Sequence, residues 1–195
     1  VKSALDVILA SLALLILSPL FLIVAVAIKF DSPGPVFFTQ ERLGKDEKLF
    51  KMYKFRSMIV KAETLQEKYQ HLNEAQGALF KIRDDPRLTK VGKLLRKYSI
   101  DELPQLLNVI KREMSLVGPR PLPVDVGLIC KDWQRKRANT LPGITGVWQV
   151  LGGSDLSFEE MVKLDYLYIQ SWSPWLDFKI LTQTISVVLF GRWAY

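Results

Sequence analysis

Two adjacent carboxylates, Asp101 and Glu102, are the residues whose type and spacing best suit chemistry. They lie in the segment LRKYSIDELPQ, residues 95–105. Ser99 and Glu102 have the S-x-x-E spacing of a capping box, and Pro104 favours the first turn of a helix. Both signals place the pair at a helix N-terminus, where backbone donors and the helix dipole attract negative charge. We therefore expect a lowered pKa for Asp101 and a phosphate bound beside it.

Neighbouring carboxylates suggest three roles. They bind Mg²⁺, which takes hard oxygen ligands, or one of them attacks phosphorus and forms an acyl phosphate. We reject the third role, a glycosidase pair, because adjacent residues are poorly placed to flank a sugar ring at the required separation of about 5 Å or more. In a purely structural interpretation, Glu102 caps the helix and Asp101 only complements its dipole.

A dense run of basic residues precedes the two carboxylates. On its own such a run is typical of a solvated face, but beside a helix terminus and a carboxylate pair it also suits a polyphosphate site. The run consists of Lys81, Arg83, Arg87, Lys90, Lys93, Arg96 and Lys97.

A second candidate is the segment Gly118-Pro119-Arg120-Pro121. Two prolines restrict the backbone on either side of one arginine, which lowers the entropy lost when its guanidinium grips a phosphate. The alternative is an exposed arginine in a proline-rich loop. The chain has no glycine motif of the Walker or Rossmann type.

Composition narrows the classes of function. The 195 residues carry a formal net charge of +7, which suits nucleic acid, a membrane surface or phosphorylated substrates. The single cysteine, Cys130, excludes an internal disulfide and a cysteine-based metal site, and we expect it to be a small buried hydrophobe. The single histidine, His71, argues against histidine-rich metal sites and a Ser-His-Asp triad. Because the chain begins at Val1, we expect it to be part of a longer protein.

The elements that must position these residues begin with a membrane segment. Residues 7–28 contain no charge and, as a straight helix, would be about 33 Å long, enough to cross a bilayer. Pro19 removes a backbone hydrogen bond and should kink the helix, and the Ser18 hydroxyl can bond back to the freed carbonyl. A strong kink returns the segment to the same face of the membrane, and a mild kink leaves the helix spanning it.

Basic residues after the segment place the main domain in the cytoplasm. They are Lys29, Arg42, Lys45, Lys48, Lys51, Lys54 and Arg56.

The rest of the chain predicts mostly short helices. Residues 36–40 and 49–58 predict a β-hairpin, with a turn at residues 44–46. Residues 60–77 predict a helix that stops at Gly77, and residues 141–146 a loop. The last apolar helix is flanked by aromatic residues that suit either a membrane interface or an ordinary core. They are Trp172, Trp175, Trp193 and Tyr195.

Several motifs in this order resemble the bacterial sugar transferase family, the monotopic polyprenyl-phosphate phosphoglycosyl transferases. The likeness covers nearly the whole chain and is highly specific. Its motifs are the Ser18-Pro19 membrane segment, YKFRSM at 53–58, DPR at 85–87, SIDELPQLLNVIKREMSLVGPRP at 99–121, PGITG at 142–146 and the closing GRWAY.

The resemblance implies a mainly α fold with a small β-hairpin. Residues 1–30 would form a re-entrant membrane helix broken at Ser18-Pro19. Residues 31–195 would form a compact cytoplasmic catalytic domain with interfacial amphipathic helices. The chain would then lie on the cytoplasmic face of the bacterial inner membrane, and a homodimer is plausible for larger members.

The resemblance also implies a reaction. Asp101 would attack the β-phosphorus of a UDP-sugar and release UMP, and polyprenyl phosphate would then take the sugar phosphate from the aspartate. Mg²⁺ would assist near Asp101 and Glu102. Arg120, held by Pro119 and Pro121, would contact phosphate. Arg96 lies where the family has a basic residue near the active site, and Lys54 and Arg56 match the family's basic motif. All three would bind the phosphate or the nucleotide.

Two departures and two rival interpretations remain. The family usually has a Gly-Arg pair where this chain has Gly152-Gly153, and the missing arginine would weaken nucleotide contact or change the preferred sugar. The family also more often has glycine where this chain has Trp193. Neither departure touches Asp101 or Glu102. A membrane-tethered basic module that binds anionic lipid or nucleic acid would also explain the charge and the anchor. A spanning-helix scaffold would tolerate Asp101→Asn. The enzyme requires no nucleic acid, whereas a nucleic-acid module predicts strongly salt-dependent binding.

Overall fold

The computed structural model describes residues 2–74, 80, 82, 84–128, 130, 132–152 and 156–190. It is mostly helical, with two small sheets. The helices are α1 (Lys2–Asp31), α2 (Lys90–Lys97), α3 (Leu106–Ile110), α4 (Val124–Leu128), α5 (Asp132–Arg135), α6 (Val147–Leu151), α7 (Phe158–Ser171) and α8 (Pro174–Phe190). The strands are β1 (Phe37–Leu43), β2 (Leu49–Phe55), β3 (Ser115–Val117), β4 (Leu122–Pro123) and β5 (Gly143–Thr145).

Helix α1 is a 30-residue apolar helix that runs continuously through Pro19. Proline has no N–H, so the carbonyl of Leu15, four residues earlier, loses its usual donor. The hydroxyl of Ser18 donates to that carbonyl at 2.8 Å. The predicted hydrogen bond from the Ser18 hydroxyl to the freed carbonyl is therefore confirmed. The helix does not end at Pro19, and a kink there stays a prediction.

Both ends of α1 contact the rest of the chain. Near its start, the Ser115 hydroxyl donates to the Asp6 carboxylate at 2.6 Å. At its end, the backbone N–H of Val91 donates to the Asp31 carboxylate at 3.0 Å. By length and composition α1 could cross a membrane. Only 11% of its most apolar 18-residue stretch is buried, unlike the core helix of a soluble protein, which is mostly buried. One face of α1 thus packs along the domain, and a wide apolar face is left outside.

The predicted hairpin is confirmed. Strands β1 and β2 pair antiparallel from Phe37↔Phe55 to Leu43↔Leu49, and the turn lies at Lys45–Glu47. The hydrophobic core forms where the hairpin, α1 and the short helices meet. Its buried members are Ala10, Val24, Ile28, Phe50, Met52, Phe55, Leu95, Leu106, Val109 and Met114.

Two further pairings lie on either side of the proline-rich segment at residues 118–121. The other edge of β1 pairs with β4, which places Arg42 opposite Pro123. Strands β3 and β5 pair in parallel. The prediction of a loop throughout residues 141–146 was wrong, because a three-residue strand pairing with a distant segment leaves no periodic signal. A Cβ on Gly143 would lie 2.1 Å from the Gly118 nitrogen, so this approach requires glycine.

The structure revises one helix prediction and decides between the two interpretations of Trp172 and Trp175. The prediction of one helix over residues 60–77 was wrong, because the described part forms two short 3₁₀ helices, Ala62–Leu65 and Glu67–Leu72. The predicted stop at Gly77 lies outside the described residues. At the other end of the chain, Trp172 and Trp175 are exposed, with Trp175 61% exposed. This exposure contradicts the core interpretation for these two residues, whereas Trp193 and Tyr195 lie outside the described residues.

Candidate active site

The two carboxylates lie in the first turn of the 3₁₀ helix Ile100–Gln105, as their helix-start signals predict. Ser99, just before this helix, has a left-handed backbone (φ 50°), and its side chain makes no cap hydrogen bond. The predicted capping box was therefore wrong. Glu102 instead turns its side chain toward cations from two distant segments, so the purely structural cap is also excluded.

Glu102 is held by two cations. Lys54 Nζ, from β2, donates to Glu102 Oε1 at 2.8 Å. Arg120 donates through NH2 to Oε1 at 2.5 Å and through NH1 to Oε2 at 3.1 Å. Burial by itself would raise the pKa of Glu102, but the charges of Arg120 and Lys54 outweigh it and hold that pKa well below its usual range. Glu102 is thus an ionised anchor that fixes both cations.

Asp101 lies beside this anchor and is only 5% exposed. Burial raises its pKa above the usual range and the charge of Glu102 adds to this, while Lys54, Arg96 and Arg120 oppose it. The predicted lowering was wrong, because removal from water and the charge of Glu102 together outweigh the three cations. Asp101 therefore depends on the surrounding cations to stay ionised, and a poorly solvated carboxylate is a stronger nucleophile than a hydrated one.

Arg120 is positioned by the segment at residues 118–121. Pro119 and Pro121 are buried, whereas the Arg120 side chain is partly exposed. The Arg120 carbonyl accepts a hydrogen bond from Arg137 NH2 at 2.9 Å. The arginine between two prolines is thus a fixed group beside Glu102 and not a free surface residue.

The other predicted basic residues divide into two groups. Arg96, in the last turn of α2, donates from Nε to the Ser57 hydroxyl at 3.1 Å and lines the same cavity as the carboxylates. Arg56 is only 6% exposed and donates to three main-chain carbonyls at residues 32, 33 and 35. Arg56 therefore holds the turn after α1, and these three hydrogen bonds go to that turn and not to the carboxylates. The phosphate or nucleotide contact that the resemblance implies for Arg56 stays a prediction.

The basic run before the pair is also divided. Arg87 forms a buried ion pair with Asp85, with NH2 and Oδ2 2.6 Å apart. Lys90 and Lys93 are exposed. Lys81 and Arg83 lie outside the described residues. The structure thus brings Arg96, but not the run as a whole, to the two carboxylates.

Arg42 was missed as a site residue in the sequence. It lies on β1, lines the cavity and donates from NH2 to Gln40 Oε1 at 2.6 Å. Burial and the nearby charge of Arg120 lower the pKa of Arg42 to about 10. Strand alternation is the signal that was available, since Phe38, Gln40 and Arg42 must share one face with Lys54, the partner of Phe38.

A cavity of about 1470 Å³ joins these groups. Its polar wall carries Asp101, Glu102, Lys54, Arg96, Arg120 and Arg42. Its apolar wall carries Leu17 and Leu20 of α1 and Val187, Val188 and Leu189 of α8. The cavity therefore offers charged and apolar surfaces to the same ligand or to two adjacent ligands.

The residues present can be tested for their fit to Mg²⁺. In the part of the chain that the structure describes, no group of three or more His, Cys, Asp or Glu side chains could hold a metal ion. Mg²⁺ commonly takes only one or two carboxylates together with waters and substrate phosphates. Asp101 offers such a donor, whereas both Glu102 oxygens already accept from cations. The donor set fits Mg²⁺ as an ion shared with a substrate's phosphates.

Comparison with known proteins shows which family this chain resembles. The model of the family described as Bacterial sugar transferase matches residues 1–191. The chain is 45% identical over 194 residues to galactosyl transferase CpsE of Streptococcus agalactiae serotype III, covering 99% of the chain and 43% of that relative. It is 41% identical over 198 residues to the exopolysaccharide production protein ExoY of Rhizobium meliloti, covering 100% of the chain and 88% of ExoY.

A third relative is the undecaprenyl-phosphate galactose phosphotransferase of Salmonella typhimurium, which is 40% identical over 199 residues. That match covers 100% of the chain and 41% of the relative. The chain thus spans less than half the length of CpsE and of this phosphotransferase, and most of the length of ExoY. Since the family model covers nearly every residue and agrees with the motifs, the chain belongs to the bacterial sugar transferase family.

Proposed function

We propose that this chain transfers a sugar 1-phosphate from a UDP-sugar to polyprenyl phosphate at the cytoplasmic face of the bacterial inner membrane. The observation that carries the proposal is one cavity with two kinds of wall. A buried carboxylate and its cations line one wall, and residues of two exposed apolar helices line the other. Both substrates are anionic at the reacting end, and the acceptor also has a long apolar chain. The likeness to the undecaprenyl-phosphate galactose phosphotransferase of Salmonella typhimurium supports the same reaction.

In the proposed first step, an Asp101 carboxylate oxygen attacks the β-phosphorus of the UDP-sugar. The bond between the β-phosphorus and the bridging oxygen breaks, and UMP leaves with that oxygen. In the second step, a phosphate oxygen of polyprenyl phosphate attacks the phosphorus held on Asp101. The acyl phosphate bond breaks, the carboxylate is restored, and polyprenyl diphosphate sugar is released.

The cations around Asp101 provide the electrostatics that this chemistry needs. A carboxylate that attacks an anionic diphosphate meets repulsion, which Lys54, Arg96 and Arg120 offset from fixed positions. Glu102 keeps Lys54 and Arg120 in place before substrate arrives, so little reorganisation is needed during the reaction. Mg²⁺, held by Asp101 with Glu102 beside it, would supply further positive charge to the diphosphate.

The placement of α1 supports a membrane helix that enters and leaves on one face. Asp6 and Asp31 bind the same domain from opposite ends of the helix. A straight crossing would carry one end about 30 Å away, to the far side of the bilayer. Labelling the thiol of an Ala4→Cys variant with an impermeant maleimide tests this topology. The variant also carries Cys130→Ala, so that the introduced thiol is the one that reacts. We expect labelling only after spheroplasts are permeabilised, and labelling of intact spheroplasts from outside would contradict it.

The chemistry is tested by Asp101→Asn. We expect the wild-type protein to release UMP from its UDP-sugar with Mg²⁺ and polyprenyl phosphate, and to retain a covalent sugar phosphate when the lipid is omitted. Asp101→Asn should do neither, because an amide does not attack phosphorus. Asp125→Asn is the matched control, since it makes the same change at an exposed carboxylate in the same cavity. Equal UMP release by Asp101→Asn and wild type would refute the mechanism.

A further inference from the structure

Arg137 and Asp165 form a buried ion pair that the reaction above does not use. Arg137 lies on the 3₁₀ helix Lys136–Asn139, and Asp165 lies in the middle of α7. Both are nearly inaccessible, with Asp165 only 1% exposed. Arg137 NH2 donates to Asp165 Oδ2 and also to the main-chain carbonyl of Arg120, the latter at 2.9 Å.

The Arg120 carbonyl is a sensitive place for such a contact. Arg120 precedes Pro121, so its backbone is already restricted to an extended conformation. The carbonyl belongs to the peptide that joins Arg120 to Pro121, and Pro121 has no N–H with which to anchor that peptide. The hydrogen bond from Arg137 therefore sets the remaining rotation of this peptide and, through it, the direction in which the Arg120 side chain leaves the backbone.

The Arg120 side chain needs such control because it meets Glu102 through two parallel hydrogen bonds. A bidentate contact depends on the position and the plane of the guanidinium together. Asp165 contributes by neutralising Arg137 and holding its NH2 group in line with the carbonyl. Without Asp165, a buried and unpaired guanidinium would be costly and would move to find another partner.

We propose that Arg137, oriented by Asp165, is a positioning residue that acts on catalysis through Arg120. The inference rests on the proposed function, because Arg120 matters through the diphosphate that Asp101 attacks. It also gives α7 a part in the active site. Through Asp165, α7 would act on Arg137 and then on Arg120, without a direct contact to Asp101 or Glu102 in the part of the chain described.

The test is a double-mutant cycle on UMP release. Arg137→Met and Asp165→Asn should each lower kcat about 10- to 100-fold with little change in KM for the UDP-sugar, since misplacement by about 1 Å can cost this much. In an Arg120→Lys background, where the bidentate contact is already lost, the same two changes should have at most roughly a two- to three-fold further effect, because coupled residues lose their effect once the contact they act through is gone.

The matched control is Asp177→Asn, which breaks another ion pair, Lys2–Asp177, whose two residues do not line the cavity. Its effect on kcat should multiply with that of Arg120→Lys, as expected for independent sites. Thermal unfolding of each variant identifies any loss of folded protein. Should these variants destabilise the fold, Arg137→Lys, which keeps a cation beside Asp165 but loses the bond to the Arg120 carbonyl, decides the question in the same cycle.

Two results would overturn the inference. If Arg137→Met and Asp165→Asn lower kcat equally in the wild-type and Arg120→Lys backgrounds, the pair does not act through Arg120. If they raise KM and leave kcat unchanged, Arg137 binds substrate directly. The proposed function is decided separately by Asp101→Asn in the same assay, so the failure of one idea is distinguishable from the failure of the other.

Discussion

Arg56 gives the sharpest test of the structure against a motif, because the two assign it different roles. The motif suggests a phosphate contact, whereas the buried guanidinium donates to the carbonyls of Pro35, Pro33 and Ser32 at 2.6, 2.8 and 2.8 Å. These residues directly follow α1, so Arg56 ties the exit of the membrane helix to β2. We predict that Arg56→Lys destabilises the protein and leaves binding of the UDP-sugar unchanged.

The magnitude follows from the three hydrogen bonds. A lysine ammonium at this place can reach one of the three carbonyls, so two charge-assisted bonds are lost. At about 1.5 kcal/mol each, the low end for bonds to charged groups, the free energy of unfolding falls by about 3 kcal/mol. For a chain of this size, that corresponds to a decrease in Tm of roughly 6–12 °C.

The assay is thermal unfolding in a single detergent or nanodisc preparation, together with KM for the UDP-sugar. Lys51→Met is the matched control, because Lys51 is an exposed cation on β2, the strand that ends just before Arg56. Its Tm should stay within about 2 °C of wild type, as for surface changes near 0.5 kcal/mol. An unchanged Tm with a raised KM for Arg56→Lys would show that Arg56 binds phosphate and that the structural argument is wrong.

Two further changes test the electrostatics and the packing of the site. Lys54→Met removes the first of the charges that oppose burial of Asp101, so the pKa of Asp101 should rise further. Because protonated Asp101 cannot attack, the acid limb of the pH profile of UMP release should move to higher pH, and an unmoved limb would contradict this assignment. Gly92→Ala would place a Cβ 1.8 Å from the Ser57 carbonyl oxygen. We expect a loss of about 1–3 kcal/mol in thermal unfolding, as for other overpacked sites, and a wild-type Tm would mean that the two backbones separate readily.

Local patterns in the sequence predicted those features that depend on neighbouring residues. Alternating side chains and a turn predicted the hairpin, and the missing N–H of Pro19 predicted the bond from the Ser18 hydroxyl. Helix-start signals placed Asp101 and Glu102 in the first turn of a helix. Each of these features is decided within a few residues, where backbone geometry and hydrogen bonding leave few alternatives.

Only the tertiary structure decided which cations contact Glu102 and how far Asp101 is shielded from water. Lys54 and Arg120 reach Glu102 from 48 and 18 residues away, and no local pattern selects Lys54 over Arg56 as the partner. The pKa of Asp101 moved opposite to the prediction, because its burial depends on every element packed around it. Partner choice and desolvation are properties of the whole packed chain. The sequence therefore determined the two candidate carboxylates and their place at a helix start, while only the fold determined their charge environment and contacts.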